Sequence, residues 1–179
     1  MAGVLGVTTI RIYVVDTSYL LELYRVDGCS ENDAHSSVLR KFRESIETGQ
    51  FFVPVAVLFE LANHIADIPD SQRRRNLAAK LRADIGSSIS EQTPWVVTHA
   101  TDAQSLEDLL AALNESAARF ADEFSTQKLG LTDTTVILEA ERLRKKFVSD
   151  SLRNYQIHIW TRHCELKARE PDTEASQFV

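Results

Sequence analysis

Apolar residues in this chain fall into short continuous runs separated by longer stretches with helical spacing. The first run, Ile12-Tyr13-Val14-Val15, ends sharply at Asp16. A strand that is apolar at consecutive positions, rather than alternate ones, is covered on both faces, as in a parallel sheet between helices. The run predicts a strand over 10–15. Thr17-Ser18 then open a helix through Tyr19, Leu20, Leu23 and Tyr24, closing near Asp27-Gly28, where glycine supplies a stop. Val38, Phe42 and Ile46 stand at four-residue steps and predict a polar helix over about 34–48. Gly49-Gln50 break it before a second apolar run, Phe51-Phe52-Val53. Pro54 follows, where a missing N–H is harmless at a helix start. The helix expected over 55–66 puts Leu58, Leu61, Ala62 and Ile65 on one face and Glu60, Asn63 and His64 on the other.

Further on, Ser71 caps a basic helix over 72–83, and Trp95-Val96-Val97 is a short third strand. The best helical period lies in 102–124, with Leu106, Leu109, Leu110, Leu113, Ala117, Phe120 and Phe124. Another helix is expected over 133–147, N-capped by Thr132, with Val136, Ile137, Ala140 and Leu143 facing inward. Residues 155–160 (YQIHIW) read as a fourth strand, followed by a helix over about 162–169, and the last ten residues are expected to fray. Strands separated repeatedly by helices define an α/β class: a three-layer α/β/α arrangement with a central parallel sheet of about four strands.

Composition narrows the function classes. The 179 residues are expected to form a single domain, and 44% hydrophobic with 26% charged is ordinary globular usage. Twenty basic against 26 acidic side chains give a net charge of −6, split 10 against 11 up to Ser90 and 10 against 15 after it. That balance disfavours a protein held to nucleic acid or to a membrane surface by bulk charge. It leaves room for a nuclease, because a site that holds divalent cations is itself acidic. Cys29 and Cys164 are too few for a disulfide framework or a zinc site and read as reduced thiols. The N-terminal MAGVLGVTTIRIYVV lacks a basic leader and a small-residue cleavage pattern, and no run reaches the ~20 apolar residues of a membrane span. A cytoplasmic location is expected.

Three carboxylates stand out by position. Asp16 lies at the carboxyl end of the first strand, where open α/β sheets place their ligands. Glu60 lies on the polar face of the helix after the second strand, and Asp133 in the first turn of a later helix. Each has a structural explanation alone, as a cap, a solvated side chain or a helix-terminus charge. Together they can converge on one rim of the sheet, where their mutual repulsion calls for a cation. Oxygen donors without His or Cys suit Mg²⁺ or Mn²⁺, which keep several waters and bind one or two carboxylates plus substrate phosphates. In-line hydrolysis of a phosphodiester needs such a site.

Four stretches in order resemble the PIN domain family, and in particular the small VapC-like ribonuclease toxins of toxin–antitoxin pairs. They are YVVDTSYLLELY, VPVAVLFELANHI, LGLTDTTVILEAERL and YQIHIWTRHCEL, covering 13–166. The resemblance implies a metal-dependent endoribonuclease whose acidic core, and metal set, is Asp16, Glu60 and Asp133. Thr17, Ser18, Thr161, Arg162 and His163 would then position ligand carboxylates or substrate, with Arg162 at the scissile phosphate. It also implies RNA as substrate, an antitoxin protein as partner, and a homodimer. Two departures stand out: His163 occupies the place of the family's fourth acid, which Asp150 or Glu165 would have to replace, and the tail after it does not read as a fifth strand. The rival reading is a PIN-like module that binds RNA or a protein without cleaving. A third is a phosphohydrolase acting on DNA or a small phosphate ester with the same carboxylates.

Other signals carry less. Glu60 and His64 have the spacing of a helical metal pair but lack the further ligands of a zinc site. Arg73-Arg74-Arg75 and Arg144-Lys145-Lys146 are the dense basic runs, read first as solvated helix faces and second as RNA contacts. Tyr19, Tyr24, Trp95 and Trp160 are read first as core and second as base-stacking platforms. No glycine-rich phosphate loop or nucleophile elbow is present.

Overall fold

The first apolar run becomes β1 (Thr8–Val15), whose last four residues are fully covered. The chain is described here from a computed structural model over residues 7–99, 102 and 105–174. Beside β1 lie β2 (Gly49–Pro54), β3 (Val96–Thr98) and β4 (Arg153–Trp160), in the order β3-β2-β1-β4 with every neighbour parallel. All four predicted strands are present. Parallel neighbours need crossovers, supplied by α1 (Thr17–Tyr24) and α2 (Asn32–Ser45), by α3 (Val55–Ala66) and α4 (Ser71–Glu91), and by α5 (Leu106–Arg119) and α6 (Leu131–Lys146). Because β1→β2→β3 steps one way and β3→β4 steps back past β1, right-handed connections put α1–α4 on one face and α6 on the other. Packing agrees: α1 rests on α2 and α3, α3 on α4, and α5 on α6. The result is the expected three-layer α/β/α arrangement.

Strand alternation gives the two faces different characters. Tyr13, Phe51, His158 and Trp160 share the face toward α1 and α2, with Tyr13 and Trp160 ring centroids 4.2 Å apart and Trp160 4.7 Å from Tyr19. Ile12, Val14, Ile157 and Ile159 share the opposite, aliphatic face, which α6 covers with Val136, Ala140 and Leu143. Gly49, where β2 begins, is held by close approach: a Cβ there would lie 2.8 Å from the Tyr13 ring and 2.9 Å from the Ser45 carbonyl.

Element ends depart from expectation for identifiable reasons. Helix α1 ends at Tyr24, not near Gly28, because Arg25 takes the left-handed conformation (φ 53°) and its N–H returns to Glu22 O at 2.9 Å. Asp70, not Ser71, caps α4, accepting from Arg73 N at 2.6 Å. The helix then runs to Glu91 rather than ending near 83, and its Ser87, Ser88 and Ser90 hydroxyls donate to carbonyls one turn earlier instead of competing as caps. The 102–124 period resolves into α5, capped by Ser105, and a π-turn over Phe120–Phe124; residues 103 and 104 of that stretch lie outside the described residues. Its leucines do not all turn inward: Leu106, Leu110 and Leu113 are 69%, 56% and 56% exposed, while Leu109 and Ser116 face α6. Helix α6 is capped at Gly130, not Thr132, and α7 (Cys164–Lys167) is a single turn instead of the eight residues expected.

The final segment is tied down where it is described. Asp172 accepts from Ile157 N at 2.8 Å and Glu170 from Ile159 N at 3.1 Å, while Asp172 N–H donates to Ile157 O at 3.1 Å. Side chains thus close the outer edge of β4, where no fifth strand stands among the described residues. The fraying expected for the last ten residues does not apply to 170–174, and 175–179 lie outside the described residues. No helix among the described residues is long and apolar enough to cross a membrane.

Candidate functional site

In this strand order the chain leaves β1 toward one face and enters β4 from the other, so a crevice opens beyond their carboxyl ends. Asp16 and Thr161, the residues after β1 and β4, stand side by side there, Asp16 N–H donating to Trp160 O at 2.9 Å. Asp16 caps α1 while buried to 5% exposure. Its Oδ2 accepts from Ser18 Oγ at 2.6 Å, Ser18 N at 3.2 Å and Thr161 Oγ1 at 2.9 Å. Burial raises the Asp16 carboxyl above its ordinary range, and the Ser18 and Thr161 hydroxyls offset part of that.

Glu60, two turns into α3, is held by Thr17, whose Oγ1 donates to Glu60 Oε2 at 2.9 Å. Asp133 stands in the first turn of α6, its Oδ2 accepting from Gly130 N at 2.6 Å. Burial raises its carboxyl, and the charges of Asp16 and Glu60 raise it further; the Gly130 N–H and His163 pull the other way. Carboxylates from the α1 cap, α3 and α6 are thus gathered at one rim, where Asp133 feels the charges of Asp16 and Glu60. In each, one oxygen is tied by a protein donor: Asp16 Oδ2, Glu60 Oε2 and Asp133 Oδ2.

Thr17, Ser18, Thr161 and His163 all join this rim. His163 N–H donates to Thr161 Oγ1 at 2.9 Å, and its ring lies 3.8 Å from Asp133 Oδ1 and 3.2 Å from Glu165 Oε2. Arg162 does not reach the rim with its side chain. Its backbone N–H donates to Ser18 Oγ at 2.9 Å, but its guanidinium binds Glu22 and, at 3.2 Å, Glu31. Of the two acids considered as replacements for the fourth, Glu165 touches His163. Asp150 caps the turn at the far end of β4 through Leu152 N and Arg153 N. Eight residues of strand, roughly 25 Å, separate it from the rim.

Sequence reasoning missed Glu22, an acidic residue that is fully buried. Its carboxylate accepts from Arg162, Ser30 Oγ at 2.8 Å and Glu31 N at 3.2 Å. The one available signal is an acid inside the otherwise apolar TSYLLELY. Secondary signals resolve toward structure: Tyr19, Tyr24, Trp95 and Trp160 are all buried. Arg73 and Arg74 bind carbonyls of 24, 25 and 68, and Arg144 binds Tyr155 O. His64 meets Cys29 Sγ at 3.7 Å.

The donor set fits a hard divalent cation in kind and in charge: three carboxylates, two with carboxyls raised by burial, and no thiolate or imidazole pair. It is not a closed cage, for among the described residues no three His, Cys, Asp or Glu side chains stand close enough to hold a metal by themselves. Such a rim suits an ion that keeps most of its waters. The chain matches no family model and no curated protein.

Proposed function

We propose that this chain is a PIN-type, divalent-metal-dependent endoribonuclease. The observation that carries the reading is the convergence of Asp16, Glu60 and Asp133 from three elements on the crevice between β1 and β4, with Asp133 sensing the charge of the other two. Mg²⁺ or Mn²⁺, held by Asp16 and Asp133, would supply a polarised phosphate and an activated water. The chain's own residues do the rest. Ser18 and Thr161 fix Asp16 through Oδ2, leaving Oδ1 as the ligand oxygen. Thr17 fixes Glu60 through Oε2, leaving Oε1 to orient the attacking water. His163 sets an imidazole between Asp133 and Glu165, 3.8 Å and 3.2 Å from their oxygens.

The test is cleavage of a mixed single-stranded RNA pool with Mg²⁺ or Mn²⁺, beside Asp16→Asn and Asp133→Asn. Each variant keeps shape and removes charge, so cleavage is lost while the fold remains, and chelation abolishes wild-type cleavage. Equal activity in either variant overturns the assignment. A specific observation favours a second reading: a histidine stands where the family has its fourth acid, and the carboxylates form no closed metal cage. A PIN-like module that binds RNA or a protein partner, such as an antitoxin, would retain RNA or partner binding with no cleavage under any divalent ion.

A further inference from the structure

The Thr161-Arg162-His163 turn places two rim residues on either side of an arginine whose side chain faces away from the rim. Its guanidinium enters the gap between α1 and the segment leading into α2, where Glu22 is fully buried and Glu31 is 74% exposed. Glu22 is six residues beyond Asp16 in the chain, on the same helix that Asp16 caps. The buried carboxylate is met on one oxygen by Arg162 and on the other by Ser30 Oγ–H and Glu31 N–H. A buried carboxylate with that many donors needs its cation, because removing one partner leaves the other charge uncompensated.

From that anchor two hydrogen-bond paths run to Asp16. Arg162 N–H donates to Ser18 Oγ, and Ser18 Oγ–H donates to Asp16 Oδ2. Thr161, the preceding residue, donates directly to Asp16 Oδ2. The following residue, His163, donates its N–H to Thr161 Oγ1, which aims that hydroxyl, and sets its ring beside Asp133. One ion pair thus anchors the turn that orients Asp16 and sets the His163 ring 3.8 Å from Asp133.

We propose that Glu22 and Arg162 form a positioning pair for this site, and that Arg162 is not a contact to the substrate phosphate. The inference rests on the nuclease reading. The two roles for Arg162 predict opposite results when Glu22 loses its charge. A phosphate-binding arginine is released by Glu22→Gln and binds RNA more tightly. A positioning arginine loses its anchor, and the metal-facing acids loosen.

The experiment combines Mn²⁺ binding to the free protein, followed by electron paramagnetic resonance, with RNA cleavage and with RNA binding in Ca²⁺ across a salt series. It compares wild type, Glu22→Gln, Arg162→Gln and the double variant, with near-ultraviolet circular dichroism to establish folding. Glu22→Gln leaves a part-exposed arginine that keeps Glu31, so Glu22→Gln decides the matter even if Arg162→Gln, which strands the buried Glu22 carboxylate, does not fold. The expected result is a roughly 10–100-fold loss in Mn²⁺ affinity and in kcat for each single variant, the range seen when partners that orient metal ligands are removed. The double variant is expected to be no worse than either single one. RNA affinity in Ca²⁺ keeps its salt dependence, whereas loss of one phosphate contact reduces the slope by about 0.7 for a single strand. Wild-type Mn²⁺ affinity in either folded single variant, or a reduced salt slope with raised KM in Arg162→Gln, overturns the positioning role and leaves the nuclease reading standing. A wild-type protein that neither binds Mn²⁺ nor cleaves RNA overturns both.

Discussion

Asp133 shows what the rim asks of single residues. Its carboxyl and that of Asp16 are both raised in the folded chain, chiefly by burial. Between the ordinary carboxylate range, about 3.9, and those raised values, the folded state binds more protons than the unfolded one. The stability these groups contribute is therefore complete at acid pH and is lost as pH rises through the folded values. At neutral pH the metal-free chain carries the burial of these charges as a cost, which a bound cation would offset by mass action. Asp133→Asn is expected to melt above the metal-free wild type at pH 7, by about 2–4 °C for each kcal/mol recovered in a chain of this size. That advantage shrinks toward pH 4, and Mn²⁺ raises the wild-type midpoint but not the variant's. A variant that melts lower at pH 7 contradicts the account. Asp16 and Asp133 were legible because they sit beside a strand end and in the first turn of a helix, and Glu60 because it lies on the polar face of its helix; Thr161 and His163 came only from the family resemblance. Glu22 and the direction of Arg162 were not legible, because they are determined by a pairing 140 positions apart in the chain.

At the scale of elements, the strands were legible because continuous apolar runs have few alternatives, while helix ends and helix faces were less so. Helix α5 shows why: periodicity reveals that a face is apolar but not that a neighbour exists to cover it. Leu110 lies on its exposed face and Leu143 of α6 is fully buried against the sheet. Leu143→Ala is expected to cost about 2–5 kcal/mol in chemical denaturation and Leu110→Lys less than about 0.5. Comparable losses for the two would mean that α5 is turned the other way. Gly49→Ala should cost about 1–3 kcal/mol through overpacking, since neither the Tyr13 ring nor the Ser45 carbonyl leaves room for a methyl group. A neutral result there would show that β2 can shift away from α2.

For the whole molecule, charge is the informative property. With a net charge of −6 and three of the six residues in its basic runs, Arg73, Arg74 and Arg144, bonded to backbone carbonyls, the chain offers RNA little attraction beyond the rim. RNA binding is therefore expected to require a divalent ion and to weaken sharply on chelation. Reversing Lys145 or Arg75 to Glu should change cleavage less than twofold. Lys145 lies in the last turn of α6, about 20 Å by helix rise from Asp133 at the other end. A tenfold loss in either variant would assign the runs to the substrate path after all.

The closed outer edge of β4 bears on how this protein can be handled in solution. A parallel sheet that stops at four strands leaves one row of amides able to recruit any extended chain nearby. Here Glu170 and Asp172 occupy the amides of Ile159 and Ile157 with side chains, so the position is filled without adding a strand that could itself be extended. A chain cut just before Glu170 would keep its carboxylate rim and lose this guard. Its failure would show first as sheet-to-sheet association in solution rather than as unfolding or loss of chemistry.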